Sequence, residues 1–226
     1  MDLIIGNGEV GKSLYNVLKR FHQVCIQDKE IKYDWVCEVL HICFPYDSEF
    51  VNSVKAYTVI YRPKYVVIHS TVPLGVSDKC GAYHSPIRGQ HPNMEKGIKT
   101  FVKYLAPKSL YLKKYFEKCG IKVRLVGSTT TTEALKLWDT TQYADFIRLE
   151  KIIYKFCEEN NVDFKVVYQE ANKTYNEGYS KLGLKNVIRP ILTHYLGKIG
   201  GHCLIPNCQI LNDKLAKNII NFNKKL

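Results

Sequence analysis

Asp2-Leu3-Ile4-Ile5-Gly6-Asn7-Gly8-Glu9-Val10-Gly11 opens the chain. A short apolar run leads into glycines at 6, 8 and 11, and Leu14, Val17 and Leu18 then recur at helical spacing. The pattern predicts a strand over Asp2–Ile5, a tight turn, and a helix over Val10–Phe21. In such a turn the first glycine makes the bend, the second lets a pyrophosphate approach the backbone, and the third lets helix and strand pack closely. The N-terminus of the helix then faces the pyrophosphate charge. The next predicted strand, Gln23–Gln27, ends at Asp28, 17 residues beyond Gly11. A carboxylate there suits the ribose hydroxyls of NAD, while Lys29 and Lys32 close by weaken the preference over NADP.

The same residues also satisfy Gly-x-x-x-x-Gly-Lys-Ser through Gly6, Gly11, Lys12 and Ser13, the phosphate loop of nucleotide triphosphatases. That chemistry needs a second apolar strand ending in an acid that helps to hold magnesium. Val39–Phe44 ends at Pro45, and Tyr65–His69 ends at Ser70-Thr71, so neither offers it. Dinucleotide binding is the better reading.

Outward from this turn, short apolar runs alternate with amphipathic stretches as far as residue 127, the signature of a parallel α/β sheet. Further strands are predicted at Val39–Phe44, Tyr65–His69, Gly81–His84 and Lys122–Val126, and helices at Ser48–Tyr57 and Leu110–Cys119. From 128 the character is helical: a long helix over Glu133–Asn160, with Thr130 and Glu133 at capping-box spacing, then Gln169–Leu182, Asn186–Leu196 and Leu211–Phe222. The expected architecture is a Rossmann-like, mainly parallel sheet over 1–127, followed by a helical extension over 128–226.

Composition narrows the class. At 226 residues the chain can bury a sizeable core. No apolar run is long enough to span a membrane, and Met1 leads straight into strand-like residues rather than a signal peptide, so a cytoplasmic protein is expected. The eight cysteines are scattered, with no CxxC pair, which fits reduced thiols and argues against a structural metal site. The net charge of +12 is spread over dispersed lysines rather than striped along one element. That argues against nucleic acid and suits steering of a small anionic substrate, such as a sugar phosphate or nucleotide-sugar. His84, Arg88 and His91 form a basic stretch able to meet such a group. Gly200-Gly201-His202-Cys203 places a cysteine in a glycine-rich loop, a sensible position for a nucleophile.

Five segments in order resemble the UDP-glucose and UDP-N-acetylmannosamine 6-dehydrogenases. They are Ile4–Gly11, His41-Ile42-Cys43-Phe44-Pro45, Val67-Ile68-His69-Ser70-Thr71-Val72-Pro73-Leu74-Gly75, Glu133-Ala134-Leu135-Lys136, and Gly200-Gly201-His202-Cys203-Leu204-Ile205-Pro206. The resemblance runs along nearly the whole chain, although that family is longer and adds a C-terminal nucleotide-binding domain. It implies an NAD-dependent oxidation of a primary alcohol of a sugar or nucleotide-sugar, through a thiohemiacetal on Cys203. By the same resemblance Lys136 steadies the oxyanion, Thr71 helps to position a water, and Gly6, Asn7, Gly8, Glu9, Val10, Gly11, Asp28, Phe44, Pro45, Ser70 and Thr71 hold the NAD. Thr140 stands where the family usually has Asn, and Asn207 where it has Asp; both belong to the candidate catalytic set. Pro86 is followed by Ile87-Arg88 rather than by the family's Glu. Losing two carboxylates removes groups that orient water and tune the thiol, which bears on the second oxidation. A cofactor-binding protein without turnover, and a 6-phosphogluconate-like hydroxyacid dehydrogenase needing no thiol, are the alternatives. A homodimer built on the helix over residues 133–160 is also expected.

Overall fold

Alternation along the first strand sets the core on both faces of the sheet. In β1 (Asp2–Ile5) every residue is buried, as a strand covered on two sides requires. Leu3 and Ile5 join Leu40, Ile42, Phe50, Val54, Tyr61 and Ile68 on one face. Ile4 joins Leu14, Val17, Leu18, Val39, Val67, Leu112 and Phe116 on the other. Each fully buried Leu or Ile contributes about 1.5–3 kcal/mol, so this two-sided packing is the main source of the unit's stability.

The computed structural model describes residues 1–30, 35–89 and 92–226. It divides into two compact units, Met1–Lys136 and Leu137–Leu226. In the first, β1 is followed by α1 (Glu9–Leu18), β2 (Val24–Gln27), β3 (Val39–Ile42), α2 (Phe50–Tyr61), β4 (Tyr65–Ile68), α3 (Val76–Lys79) and β5 (Tyr83–His84). These strands make one sheet in the order β2-β1-β3-β4-β5, all parallel, with Ile4 opposite His41 and His41 opposite Val67. The strand order reverses at β1, and in such sheets ligands sit outside the carboxyl ends at that point.

Then come α4 (Met94–Thr100), β6 (Lys103–Leu105), α5 (Leu110–Lys118), β7 (Val123–Leu125) and α6 (Thr129–Glu159). The expected strand over Lys122–Val126 does not extend the main sheet. It is the core of β7, which pairs with β6 in a separate two-stranded sheet, touching the larger one through a bridge between His84 and Ala106. The expected capping box at the head of α6 does not form either, because the Glu133 carboxylate is engaged elsewhere.

The second unit holds the rest of α6, then α7 (Ala171–Lys181) entered through a π-helical turn at Lys165–Glu170, α8 (Leu204–Leu211) and α9 (Lys214–Lys224). The helix expected over Asn186–Leu196 is absent. Only Lys185–Val187 makes a 3-10 turn, and Pro190 cannot donate within a helix and disfavours helical backbone at Arg189. The strap that runs on instead is pinned by side chains. Asn176 bonds both the N–H and the carbonyl of Arg189 at 2.9 Å, His194 meets buried Glu150 at 2.7 Å, and Lys151 donates to the Tyr195 carbonyl at 2.5 Å. No described helix is long and apolar enough to cross a membrane. None of the eight cysteines is in a disulfide.

Candidate functional site

The glycine turn is built as its spacing predicts. Gly6 has φ +109°, and a Cβ there would lie 2.7 Å from the Phe44 nitrogen, so the bend tolerates no side chain. At Gly11 a Cβ would meet the Gly6 oxygen at 1.8 Å, which is the close helix–turn packing expected of the third glycine. Gly8 is different. Its backbone is extended and no atom lies within 4 Å of where a Cβ would be, so open space faces the first turn of α1. A pyrophosphate fits such a place, against a helix N-terminus whose N-cap has no side chain to occupy it. Asn7, Gly8 and Glu9 are exposed, Val10 is half-buried, and Asp28 is exposed just past the carboxyl end of β2, the neighbour of β1.

This geometry disfavours the triphosphatase loop. Helix α1 begins at Glu9, so Gly11, Lys12 and Ser13 are already helical and no arch of backbone amides is left between Gly6 and Gly11.

Along the same carboxyl edge lie Phe44, Pro45, Ser70 and Thr71. Phe44 is buried against Phe50, Pro45 is exposed, and Thr71 is half-buried. The Ser70 hydroxyl donates to the Phe44 carbonyl at 2.5 Å, tying the ends of β3 and β4 together rather than capping a helix. Behind this turn stands His84, which meets the Ser70 carbonyl at 3.2 Å and the Thr132 hydroxyl at 2.8 Å. Burial lowers its pKa to about 4, so it is a neutral brace and not the cation expected of a basic anion-binding loop. Arg88 lies over the Phe101 ring at 5.4 Å, and His91, like Lys32, is outside the described residues.

Glu133 is the residue whose role the sequence hid. Its fully buried carboxylate accepts from the backbone N–H of Gly75 at 2.6 Å and of Ser77 at 2.8 Å. It thereby anchors the end of the Ser70–Gly75 loop to the first turns of α6, where Lys136 follows one turn later, half-buried. Thr129 adds a bond to Asp78 at 2.6 Å. Only an acid at the head of an apolar helical pattern could have hinted at this.

In the second unit, Cys203 is half-buried and is the N-cap of α8, preceded by Gly201 at φ +92°. It therefore stands at the amino end of a helix rather than in mid-loop. One turn on, buried Asn207 donates its side-chain amide to the Thr140 hydroxyl at 3.1 Å, and that hydroxyl in turn donates to the Leu137 carbonyl. The two departures noted in the sequence are thus partners.

Superposed on solved structures, the whole chain matches a UDP-D-ManNAc dehydrogenase from Pyrococcus horikoshii with a TM-score of 0.79 at 16% identity, covering 68% of that chain. A UDP-glucose dehydrogenase from Pyrobaculum islandicum matches 99% of this chain and 68% of its own, with a TM-score of 0.75 at 14% identity. The fold is shared with nucleotide-sugar dehydrogenases. It is shared as well with a 3-hydroxyisobutyrate dehydrogenase from Mycobacterium tuberculosis, with a TM-score of 0.74 at 12% identity over 99% of this chain and 92% of that one. At these identities the likeness is one of fold. No family model matches the sequence, and no curated protein matches it.

Proposed function

We propose that this dehydrogenase fold binds NAD and oxidises the primary alcohol of a phosphorylated or nucleotide-linked sugar, with Cys203 as nucleophile. The observation that carries the reading is the open space over Gly8 at the head of α1, with Asp28 at the end of the adjoining strand. Gly6 to Gly11 hold the pyrophosphate, Asp28 accepts from the ribose hydroxyls, and Phe44, Pro45, Ser70 and Thr71 line the nicotinamide side. NAD, when bound, supplies the acceptor for hydride. The Cys203 thiolate adds to the aldehyde carbon through a new C–S bond, and the Lys136 ammonium balances the oxyanion. A second NAD, bound in the same place, supplies the acceptor for hydride from the thiohemiacetal carbon, which leaves a thioester on Cys203. A water placed by Thr71 then attacks that carbon, the C–S bond breaks, the carboxylate leaves with the water's protons released to solvent, and the thiolate is restored. The Asn207–Thr140 bond holds the first turn of α8, and with it Cys203, in place. The net charge of +12 draws an anionic substrate towards the chain.

A homodimer through α6 belongs to this reading, since Trp138, Leu149, Ile152 and Phe156 leave the helix with exposed apolar surface. Light scattering tests it, and a monodisperse monomer contradicts it. The deciding assay follows reduced nicotinamide and acid product with a panel of UDP-sugars and sugar phosphates. Cys203→Ser abolishes acid formation and leaves NAD affinity unchanged. A second reading, a hydroxyacid dehydrogenase, is favoured by the match in length to the 3-hydroxyisobutyrate enzyme. It predicts turnover of a hydroxyacid that Cys203→Ser does not alter.

A further inference from the structure

A lysine side chain crosses the carboxyl edge of the sheet beside the glycine turn. Lys29 follows Asp28 just past the end of β2, and Asp47 lies in the connection from β3 to α2. Between those two strands runs β1, which gives way to Gly6 at the same edge. Lys29 Nζ nonetheless reaches to 3.6 Å from Asp47 Oδ2 and to 6.0 Å from the centre of the Phe44 ring. The ion pair therefore spans the end of β1, where the adenosine half of a dinucleotide runs from the pyrophosphate towards the end of β2.

Both partners are held from behind. The Tyr57 hydroxyl of α2 donates to the Lys29 carbonyl at 2.6 Å, which fixes the point from which the lysine side chain starts. Burial, and after it Tyr61 and Asp28, raises the Tyr57 pKa, so this hydroxyl stays a donor. Asp47 is fixed through its other oxygen: Oδ1 accepts from the Glu49 N–H at 3.0 Å, which leaves Oδ2 turned to the lysine. The two side chains are 63% and 50% exposed, and so open a pair contributes little to the fold. Its consequence lies in where it keeps a charge.

That place is chemically decided by what the adenosine ribose carries at its 2′ carbon. The hydroxyl of NAD donates to a carboxylate, whereas the 2′-phosphate of NADP is repelled by one and needs a cation. Adjacent residues supply both, Asp28 and Lys29, so the pair of residues alone does not choose between the cofactors. Asp47 breaks the tie. It draws the ammonium to the β3 side, and the three groups together carry one negative charge in excess.

We propose that Asp47 is a specificity-determining residue: it holds the Lys29 ammonium across the glycine turn, away from the ribose 2′ position, and so makes the site select NAD over NADP. The proposal rests on the dinucleotide reading of the glycine turn. Once released from Asp47, Lys29 swings back towards Asp28 and meets a 2′-phosphate.

The test measures NAD and NADP affinity by calorimetry for four full-length chains: the parent, Asp47→Asn, Lys29→Met and the double variant. Asparagine keeps the oxygen that accepts from Glu49 and loses only the charge, and methionine keeps most of the apolar stem of lysine. The parent is expected to bind NAD the more tightly. Asp47→Asn should raise the NADP-to-NAD affinity ratio by about tenfold, the scale of removing one charge and freeing another beside a dianionic phosphate. In chains that carry Lys29→Met the same change should move the ratio by less than about threefold, because no ammonium is there to release. A ratio that stays put in Asp47→Asn, or that moves equally with and without Lys29, overturns the proposal and leaves the dinucleotide reading standing. So does a parent that prefers NADP, or a melting temperature that falls by more than about 5 °C in Asp47→Asn, which would make the carboxylate structural. A parent that binds neither nucleotide overturns the dinucleotide reading and this proposal with it.

Discussion

Lys103→Met tests the energetic cost of an amine buried beneath the sheet. Desolvation lowers Lys103 from the ordinary 10.5 to about 7. Between those values the folded chain binds fewer protons than the unfolded one, so stability rises with pH through that window and falls as pH drops towards 7. At 1.36 kcal/mol per pH unit, rounded off near the lower value, this group alone contributes a change of about 2 kcal/mol between pH 7 and 9. Methionine removes that dependence but takes a partner from His69 and the Ser85 carbonyl, a cost of about 1–3 kcal/mol at any pH. Urea unfolding of parent and variant at pH 7, 8 and 9 separates the two effects. The stability difference should move in the parent's favour by about 2 kcal/mol over that range. Measurements stop at pH 9 because burial pushes the Cys37 and Cys43 thiols up to about 12 and the Cys80 and Cys119 thiols to about 11, and these ionise on unfolding in more alkaline solution. A difference that does not change with pH refutes the argument.

On the acid side, burial holds His41, His69 and His84 neutral well below the usual histidine range, so each takes up a proton on unfolding once the pH falls under about 6.5. Stability therefore drops by up to about 4 kcal/mol per pH unit between pH 6 and 5, and a urea midpoint that stays level over that interval contradicts it. Glu133→Gln removes the carboxylate that holds Gly75 and Ser77 and should lower stability by about 2 kcal/mol, or a melting temperature lower by about 4–8 °C; an unchanged melting temperature argues against the anchor. Gly11→Ala drives a Cβ into the Gly6 carbonyl and prevents the first unit from folding normally, which circular dichroism reads directly.

Much of the first unit was legible because its strands are buried on both faces and its turns carry glycine. Asp2–Ile5 was read at its observed limits, and Val39–Ile42 and Tyr65–Ile68 lie within their expected runs. Lys103–Leu105 escaped, since a three-residue strand that begins with lysine has neither the length nor the alternation that marks one. Asn186–Leu196 looked helical by spacing, yet Pro190 and four hydrogen bonds from the side chains of Asn176, Glu150 and Lys151 hold it open. The glycine turn could be read down to the part each glycine plays. The buried hydrogen bonds that join Asp2, Tyr115, His41, His69 and Lys103 could not, because these residues sit far apart in sequence and only the sheet register and α5 bring them together. Glu133 misled for a related reason: its partners are 56 and 58 residues away, and local capping was the nearer explanation.

The most direct measurement is a calorimetric titration with NAD, and with ATP and magnesium, of the parent chain and of Gly8→Val. A valine side chain at position 8 enters the open space without touching the fold, so the variant should melt with the parent while losing NAD. The account predicts one NAD bound per chain in the parent, none in Gly8→Val, and no heat from ATP and magnesium in either. NAD binding that survives Gly8→Val, or ATP and magnesium binding in place of NAD, contradicts it.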